Sequence, residues 1–405
     1  MFQLNRIIPF IAIKLKKNIF QISTLAKYHI KFIVNLFVKN FYYFFIKRKI
    51  IYVKSLFAFD IHHTELKKHP DGAYRWLNYI FPNIKKYSNF KFKYLSNINF
   101  KHYLDYKIDQ LIIFFPQSLG YETSCKLIYS SKKIIFFVND NAIFCKKSYN
   151  TVFNKECFRC LKTFNPYKSC NHFPFPSKDS SYTNFLNIMK KKSKSILFVC
   201  HSSSNIKIIK SIFPNSRILE FKNTSRKFKN IKMNRNKNYR YDFLFHAHLL
   251  QSKGYFYFLQ IAKLNKRLKF FVPDYDLVRD IFYKNITFDK MYWDSGLKKK
   301  IEETKIILCP SFWSANYEGS VLRTMLMGKC CAIIDNKMSF SKDIPDNCVI
   351  KLTSNLYKDS NLLNRKLNNL NEIDNIGKNA RAWALAYIKD NPIKEVKLLD
   401  SFFKN

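Results

Sequence analysis

Pro310-Ser311-Phe312-Trp313-Ser314-Ala315-Asn316-Tyr317-Glu318-Gly319-Ser320-Val321-Leu322-Arg323-Thr324-Met325-Leu326-Met327-Gly328 is the stretch that decides how this chain folds. It lies between two short apolar runs, Ile306 to Cys309 before it and Cys330 to Ile334 after it. Glycine is scarce, with 7 in 405 residues, far below the ordinary share of about 7 %. A chain this poor in glycine keeps it mainly where backbone geometry or a close approach excludes a Cβ. The order strand, loop with Glu318-Gly319, helix, Gly328, strand therefore reads as a built site. A loop that leaves the C-terminal end of a strand and opens a helix at Gly319-Ser320 offers free backbone N–H groups and the positive dipole end. That suits a phosphate, with Ser320 as a hydroxyl donor, while Glu318 suits sugar or ribose hydroxyls. A plain strand-to-helix connection with a capping serine accounts for the same residues.

A second segment favours the site. Phe243 to His246 reads as a strand, followed by a loop with His248, Lys253 and Gly254. A helix then carries Tyr255, Phe258, Leu259 and Ala262 on one face, and a strand follows at Leu268 to Val272. Both loops would lie at one edge of a parallel sheet, outside the carboxyl ends of its strands, where open α/β sheets bind ligands.

At this point the chain resembles the C-terminal half of GT-B glycosyltransferases, most of all the retaining family 4 type that builds bacterial surface polysaccharide and lipopolysaccharide. The resemblance rests on Ser314 to Gly328, on Lys253-Gly254 at the helix start, and on Ile376 to Trp383 near the end. It implies two Rossmann-like domains facing across a cleft. It also implies a metal-independent transferase: Lys253, Gly254, Gly319 and Ser320 would hold the diphosphate of a nucleotide-sugar donor, and Glu318 would act at the sugar. Three positions depart from the family pattern. His248 stands where an arginine is usual, Arg323 where a second glutamate is usual, and Asn139 where a histidine is usual before Asp140. His248 would assist the phosphate, Arg323 would reach it instead of ribose, and Asp140 would be the charged catalytic group of the first domain, unless it is only a structural cap.

The first half has the α/β rhythm as well. Lys49 to Val53, Leu111 to Phe115, Ile134 to Val138, Ile196 to Cys200 and Arg217 to Phe221 are strand candidates. A helix is expected at Tyr74 to Ile80, after a loop with His62, His63 and His69. The chain thus divides into a basic amphipathic extension (1–49), an acceptor domain (50–222), a linker rich in Lys, Arg and Asn (223–240) and a donor domain (241–405). The extension has no clean run of about 20 apolar residues and reads as a surface-lying segment. With Lys+Arg 71 against Asp+Glu 28, the formal net charge is +43, which suits an anionic membrane surface. A/T-rich coding gives the same bias. The expected location is cytoplasmic, peripheral on the inner face of the membrane.

Cysteine is the last signal. Cys157-x-x-Cys160 followed by Cys170-x-His172 places four possible zinc ligands within sixteen positions, a spacing suited to a structural zinc, though a redox pair or chance in a loop accounts for the same residues. Two other functions fit less of the sequence: an inverting GT-B transferase with a base among His62, His63, His69 and Asp140, and a catalytically inactive GT-B protein that binds glycan or membrane. Nucleic acid is not an expected partner, since no recognition module accompanies the charge.

Overall fold

A computed structural model of the chain describes residues 50–58, 93–95, 105–163, 170, 180–221, 231, 238–273, 283–388 and 392–404. The extension 1–49, His62, His63, His69, the helix expected at Tyr74 to Ile80, His172 and most of 223–240 lie outside the described residues. By its contacts the chain forms a large unit, residues 53–99 and 108–405, and a small one, residues 1–52 and 100–107.

Two six-stranded sheets carry the structure. The first contains β1 (Ile50–Ala58), β2 (Lys93–Leu95), β3 (Asp105–Ile113) and β4 (Ser131–Phe137). A small antiparallel hairpin, β5 (Thr151–Val152) and β6 (Lys155–Glu156), comes next. The first sheet then resumes with β7 (Ile196–Cys200) and β8 (Arg217–Glu220). Its order is β2-β1-β3-β4-β7-β8. Helices α1 (Pro116–Leu119), α2 (Tyr121–Tyr129), α3 (Arg159–Thr163), α4 (Ser181–Lys192) and α5 (Ser203–Ile212) connect these strands. β7 is buried along its whole length, as expected of a parallel strand covered on both faces.

The second sheet holds β9 (Tyr241–Phe245), β10 (Phe270–Pro273), β11 (Ile286–Asp289), β12 (Thr304–Leu308), β13 (Cys330–Ile334) and β14 (Ile350–Leu352). They run parallel in the order β11-β10-β9-β12-β13-β14. Its helices are α6 (Tyr255–Leu264), α7 (Lys298–Glu302), α8 (Gly319–Leu326), α9 (Leu356–Leu367) and α10 (Leu370–Tyr387). Strand alternation sorts the core. Leu244, Phe271, Ile307 and Cys331 face one side with α8 and α10, while Phe243, Phe270, Ile306 and Cys330 face the other with α6 and α9. The expected α/β class with two Rossmann-like sheets is what the chain forms.

The last helix, α11 (Pro392–Lys404), breaks the expected division of the chain. Grouped by sequence with the donor domain, it packs instead on the first sheet, where Val396, Leu399 and Phe403 join Phe57, Ile112, Phe137 and Val199. Lys133 Nζ also donates to the Phe403 carbonyl at 3.1 Å. The apolar spacing of the segment is plain in the sequence, but nothing in it says which sheet it covers. Among the described residues no helix is long and apolar enough to cross a membrane.

Candidate functional site

β9 and β12 are neighbours, so the loops that leave their C-terminal ends lie side by side. They interlock through backbone. Phe312 N–H donates to the Ser252 carbonyl at 2.8 Å. Gly254 has φ +79°, and a Cβ on it would stand 2.1 Å from the Pro310 carbonyl oxygen. Only glycine meets both demands. Gly328 is also left-handed, at φ +70°, and a Cβ on Gly377 would stand 2.2 Å from its carbonyl oxygen. Gly319 differs: the nearest atom to its absent Cβ is Tyr317 Cε1 at 3.6 Å, so an ordinary contact would replace it. Scarcity pointed to steric need at Gly254 and Gly328 correctly, and at Gly319 it did not.

The interlocked loops aim their charges at each other. Lys253 Nζ lies 2.7 Å from Glu318 Oε1, and the two residues are only 8 % and 9 % exposed. Trp313 Nε1 donates to the same oxygen at 3.2 Å, and its ring lies 4.7 Å under the ammonium. Glu318 is the residue before α8, in extended conformation and without a side-chain cap on the helix. The first-turn amides at Gly319 and Ser320 therefore stay available to an anion.

The other expected residues of this edge lie on α8 and on the loop after β9. Arg323, one turn along α8, lies over the Trp293 ring at 4.9 Å. His246 stacks on the same Trp293 ring at 6.0 Å, and its Nδ1 is 3.1 Å from Thr324 Oγ1. His248 is exposed on the loop between β9 and α6. The buried histidine at this edge is thus His246, and the aromatic partners Trp293 and Trp313 were missed by motif reading, because tryptophan has no fixed place in the pattern.

The first sheet contributes a polar edge. Asp140, just beyond β4, accepts from Ala142 N–H at 2.8 Å and from Gln117 Nε2. Burial raises its carboxyl from the ordinary range to about 6, against the lowering effect of those bonds. Gln117 Oε1 is buried with no hydrogen-bond partner. Phe115, two residues earlier, holds φ 101°, a left-handed conformation costing a non-glycine residue about 1–3 kcal/mol. Asn139, in the position where histidine was expected, contacts a histidine from the next strand: its Oδ1 is 3.2 Å from His201 Nε2. His201 Nδ1 is 2.9 Å from the Phe221 carbonyl, and burial lowers the ring to about 4.

The two edges are bonded together within the large unit. Asn316 Nδ2 donates to the Val138 carbonyl at 3.0 Å. Asn141 Nδ2 donates to the Ser314 carbonyl at 2.9 Å, and Ser314 N–H to Asn150 Oδ1 at 3.0 Å. Ser314 Oγ donates to Glu156, which also accepts from the Lys337 and Met338 amides. These bonds bring the Asp140 loop to the loop that ends at Glu318. Elsewhere, a cavity of about 560 Å³ beside α9 and α10, lined by residues such as Asn347, Ile350, Leu362, Glu372 and Ile376, contains none of these residues.

Of the expected zinc ligands, Cys157, Cys160 and Cys170 are described, all three as free thiols. Among the described residues no three His, Cys, Asp or Glu side chains are placed to hold a metal ion as they stand.

No family model and no curated protein matches the sequence. Solved structures do match in three dimensions. Anabaena HepE in complex with UDP aligns over 87 % of this chain and 100 % of its own, with TM-score 0.57 and 11 % identity. WaaG, a glycosyltransferase involved in lipopolysaccharide biosynthesis, aligns over 85 % and 99 %, with TM-score 0.53 and 12 % identity. Sucrose-phosphate synthase from Thermosynechococcus elongatus aligns over 73 % and 74 %, with TM-score 0.52 and 12 % identity. At these identities the likeness speaks for the fold, which is GT-B.

Proposed function

We propose that this GT-B chain is a glycosyltransferase that moves a sugar from a nucleoside-diphosphate donor to a hydroxyl of a lipid-linked or surface glycan. The observation that carries the reading is the buried Lys253–Glu318 pair at the open N-terminus of α8. In the transfer, the bond between the anomeric carbon and the diphosphate oxygen breaks, and the acceptor oxygen bonds to that carbon. The acceptor's proton passes to the departing phosphate oxygen if configuration is retained, which the family resemblance favours. Negative charge grows on the leaving diphosphate, and stabilising it is the main electrostatic task. An ammonium has three donors, and Glu318 takes one, leaving Lys253 able to serve the phosphate beside the Gly319 and Ser320 amides. Glu318 faces the sugar side and steadies positive charge at the anomeric carbon. In this reading the diphosphate is met by protein cations and amides rather than by a metal.

Three HepE structures hold UDP, UDP-glucose, or UDP with glucose, which makes a uridine diphosphate sugar the first donor to test. The +43 charge and the basic segment 1–49 support peripheral binding at an anionic membrane face. An inverting reaction is the second reading. It is favoured by Asp140, whose raised carboxyl, ionised at neutral pH, has the basicity to take the acceptor proton. Isothermal titration with UDP, GDP, ADP and CMP tests the proposal, repeated on Lys253→Ala and Glu318→Gln. One nucleotide should bind tightly and lose at least about tenfold on Lys253→Ala, equivalent to about 1.4 kcal/mol. Absence of binding to all four would leave an inactive GT-B protein as the reading.

A further inference from the structure

We propose that Gln117 is the positioning residue of Asp140, holding the carboxyl in both its charged and its neutral form by an amide that turns over when a proton arrives. This role rests on the inverting reading, in which Asp140 takes the acceptor's proton, and adds to it the residue that keeps the base in place.

Asp140 is held at both oxygens. Ala142 N–H donates to Oδ1 at 2.8 Å, and Gln117 Nε2 donates to Oδ2. Among the described residues no cation is paired with it, so its place depends on neutral donors. Tyr182 Oη, in α4, donates to the Ala142 carbonyl at 2.9 Å and so fixes the turn that carries the first of them.

The backbone around Gln117 is fixed too. Gly120 N–H donates to the Gln117 carbonyl at 3.3 Å, and Ser124 Oγ to the Pro116 carbonyl at 3.0 Å. Phe115, at φ 101°, carries the strain that such a turn keeps only where its surroundings over-determine it, as at functional sites. The end of the Gln117 side chain is different. Its Oε1 is buried and has no hydrogen-bond partner among the described residues. An amide bonded at both ends cannot turn without losing a bond. This one is bonded at Asp140 alone, so the charge of Asp140 decides which way round it sits.

That freedom serves the transfer step. The acceptor O–H bond breaks, the proton passes to Asp140, and the electron pair left on the acceptor oxygen forms the bond to the anomeric carbon as the diphosphate leaves. Because Oδ1 goes on accepting from Ala142, the proton comes to rest on Oδ2, opposite Nε2. Two donors then face each other, since a carboxylate only accepts and a carboxylic acid carries a donor. The last torsion of a glutamine is broad and roughly two-fold, so a half turn exchanges Nε2 for Oε1 and gives the acid proton an acceptor. The carboxyl keeps its partner, and its aim, before and after the proton moves.

The test is a pair of titrations of the full chain by nuclear magnetic resonance. One follows the Asp140 carboxyl carbon, assigned by its loss in Asp140→Asn. The other follows the Gln117 side-chain amide, assigned by its loss in Gln117→Met or Gln117→Glu, so that one variant that does not fold leaves the reading intact. Both signals should move with one midpoint near 6, and the amide should stop moving in Asp140→Asn. In Gln117→Met both forms of the carboxyl lose a partner, so the Asp140 midpoint should shift by less than about half a pH unit. A shift of about half a unit or more would mean that the amide serves one form only, and overturns the proposal. So does an amide signal that ignores the Asp140 proton, which leaves the inverting reading standing. A transfer product of retained configuration overturns both.

Discussion

The two sheets present their strand ends to one another in different styles. The second sheet's edge is held by backbone shape and one buried ion pair, with Gly254 against Pro310 and Lys253 against Glu318. The first sheet's edge is held by side-chain amides and groups that titrate, with Gln117 on Asp140 and Asn139 on His201. A rigid frame around a charge suits the stable grip a diphosphate needs. An edge whose groups change protonation at mildly acid pH suits the handling of a proton.

The sharpest way to break that contrast is at the ion pair. Lys253→Met leaves a carboxylate buried without its cation and should destabilise the chain by about 3–5 kcal/mol. Adding Glu318→Gln should restore most of it, because the Trp313 N–H keeps an acceptor, while nucleotide binding stays lost. Urea melts of the single and double variants check this. Equal stability of the two would mean that the pair is not the frame.

Next comes shape alone. Gly254→Ala should cost about 3–4 kcal/mol, of which about 1–3 kcal/mol is backbone strain and the rest the collision with the Pro310 carbonyl. Gly319→Ala, whose Cβ would meet only an ordinary contact with Tyr317, should change stability by no more than about 0.5 kcal/mol. Thermal melts of both variants separate them.

The first sheet's edge is probed by pH. Asp140 binds its proton more tightly folded than unfolded, since its carboxyl is raised to about 6. Its effect on stability therefore falls as pH rises from about 4 to about 6. His201, lowered to about 4, binds its proton more weakly folded, so its contribution grows from about pH 4 to about 6.5. Each shift corresponds to roughly 3 kcal/mol, and the two oppose. Asp140→Asn should then expose a steep rise in stability between pH 4 and 6.5, and His201→Gln should expose a fall, both read by urea melts at stepped pH. Unchanged profiles in both variants would show that neither group carries the pH response.

The smallest effect concerns the joint between the edges. Ser314→Ala leaves Glu156 without one of its donors and should cost about 1–2 kcal/mol, with hydrogen exchange quickening in both 139–157 and 310–318. Faster exchange in only one of the two segments would mean that the serine does not couple them.

These differences also explain what the sequence made legible. Parallel strands buried on both faces leave continuous apolar runs, and so Ile196–Cys200 and Cys330–Ile334 were found to the residue. β11 and β14 were not, because Ile286–Asp289 and Ile350–Leu352 are short and mix polar with apolar side chains. At the site, Lys253, Gly254 and Glu318 were readable because loop, glycine and helix start come in a fixed order along the chain. The pairing of Asn139 with His201 spans 62 positions, and no local pattern encodes it.

The return of α11 to the first sheet sets an order of events during synthesis. Phe57, Ile112 and Phe137 lie on strands made early, yet Val396, Leu399 and Phe403, which cover them, leave the ribosome more than 250 residues later. The early half must therefore wait, with an oily face uncovered, while the whole later half is translated. A chaperone that shields that face would have its longest work on this protein there, and a chain cut before Pro392 would leave the patch open for good.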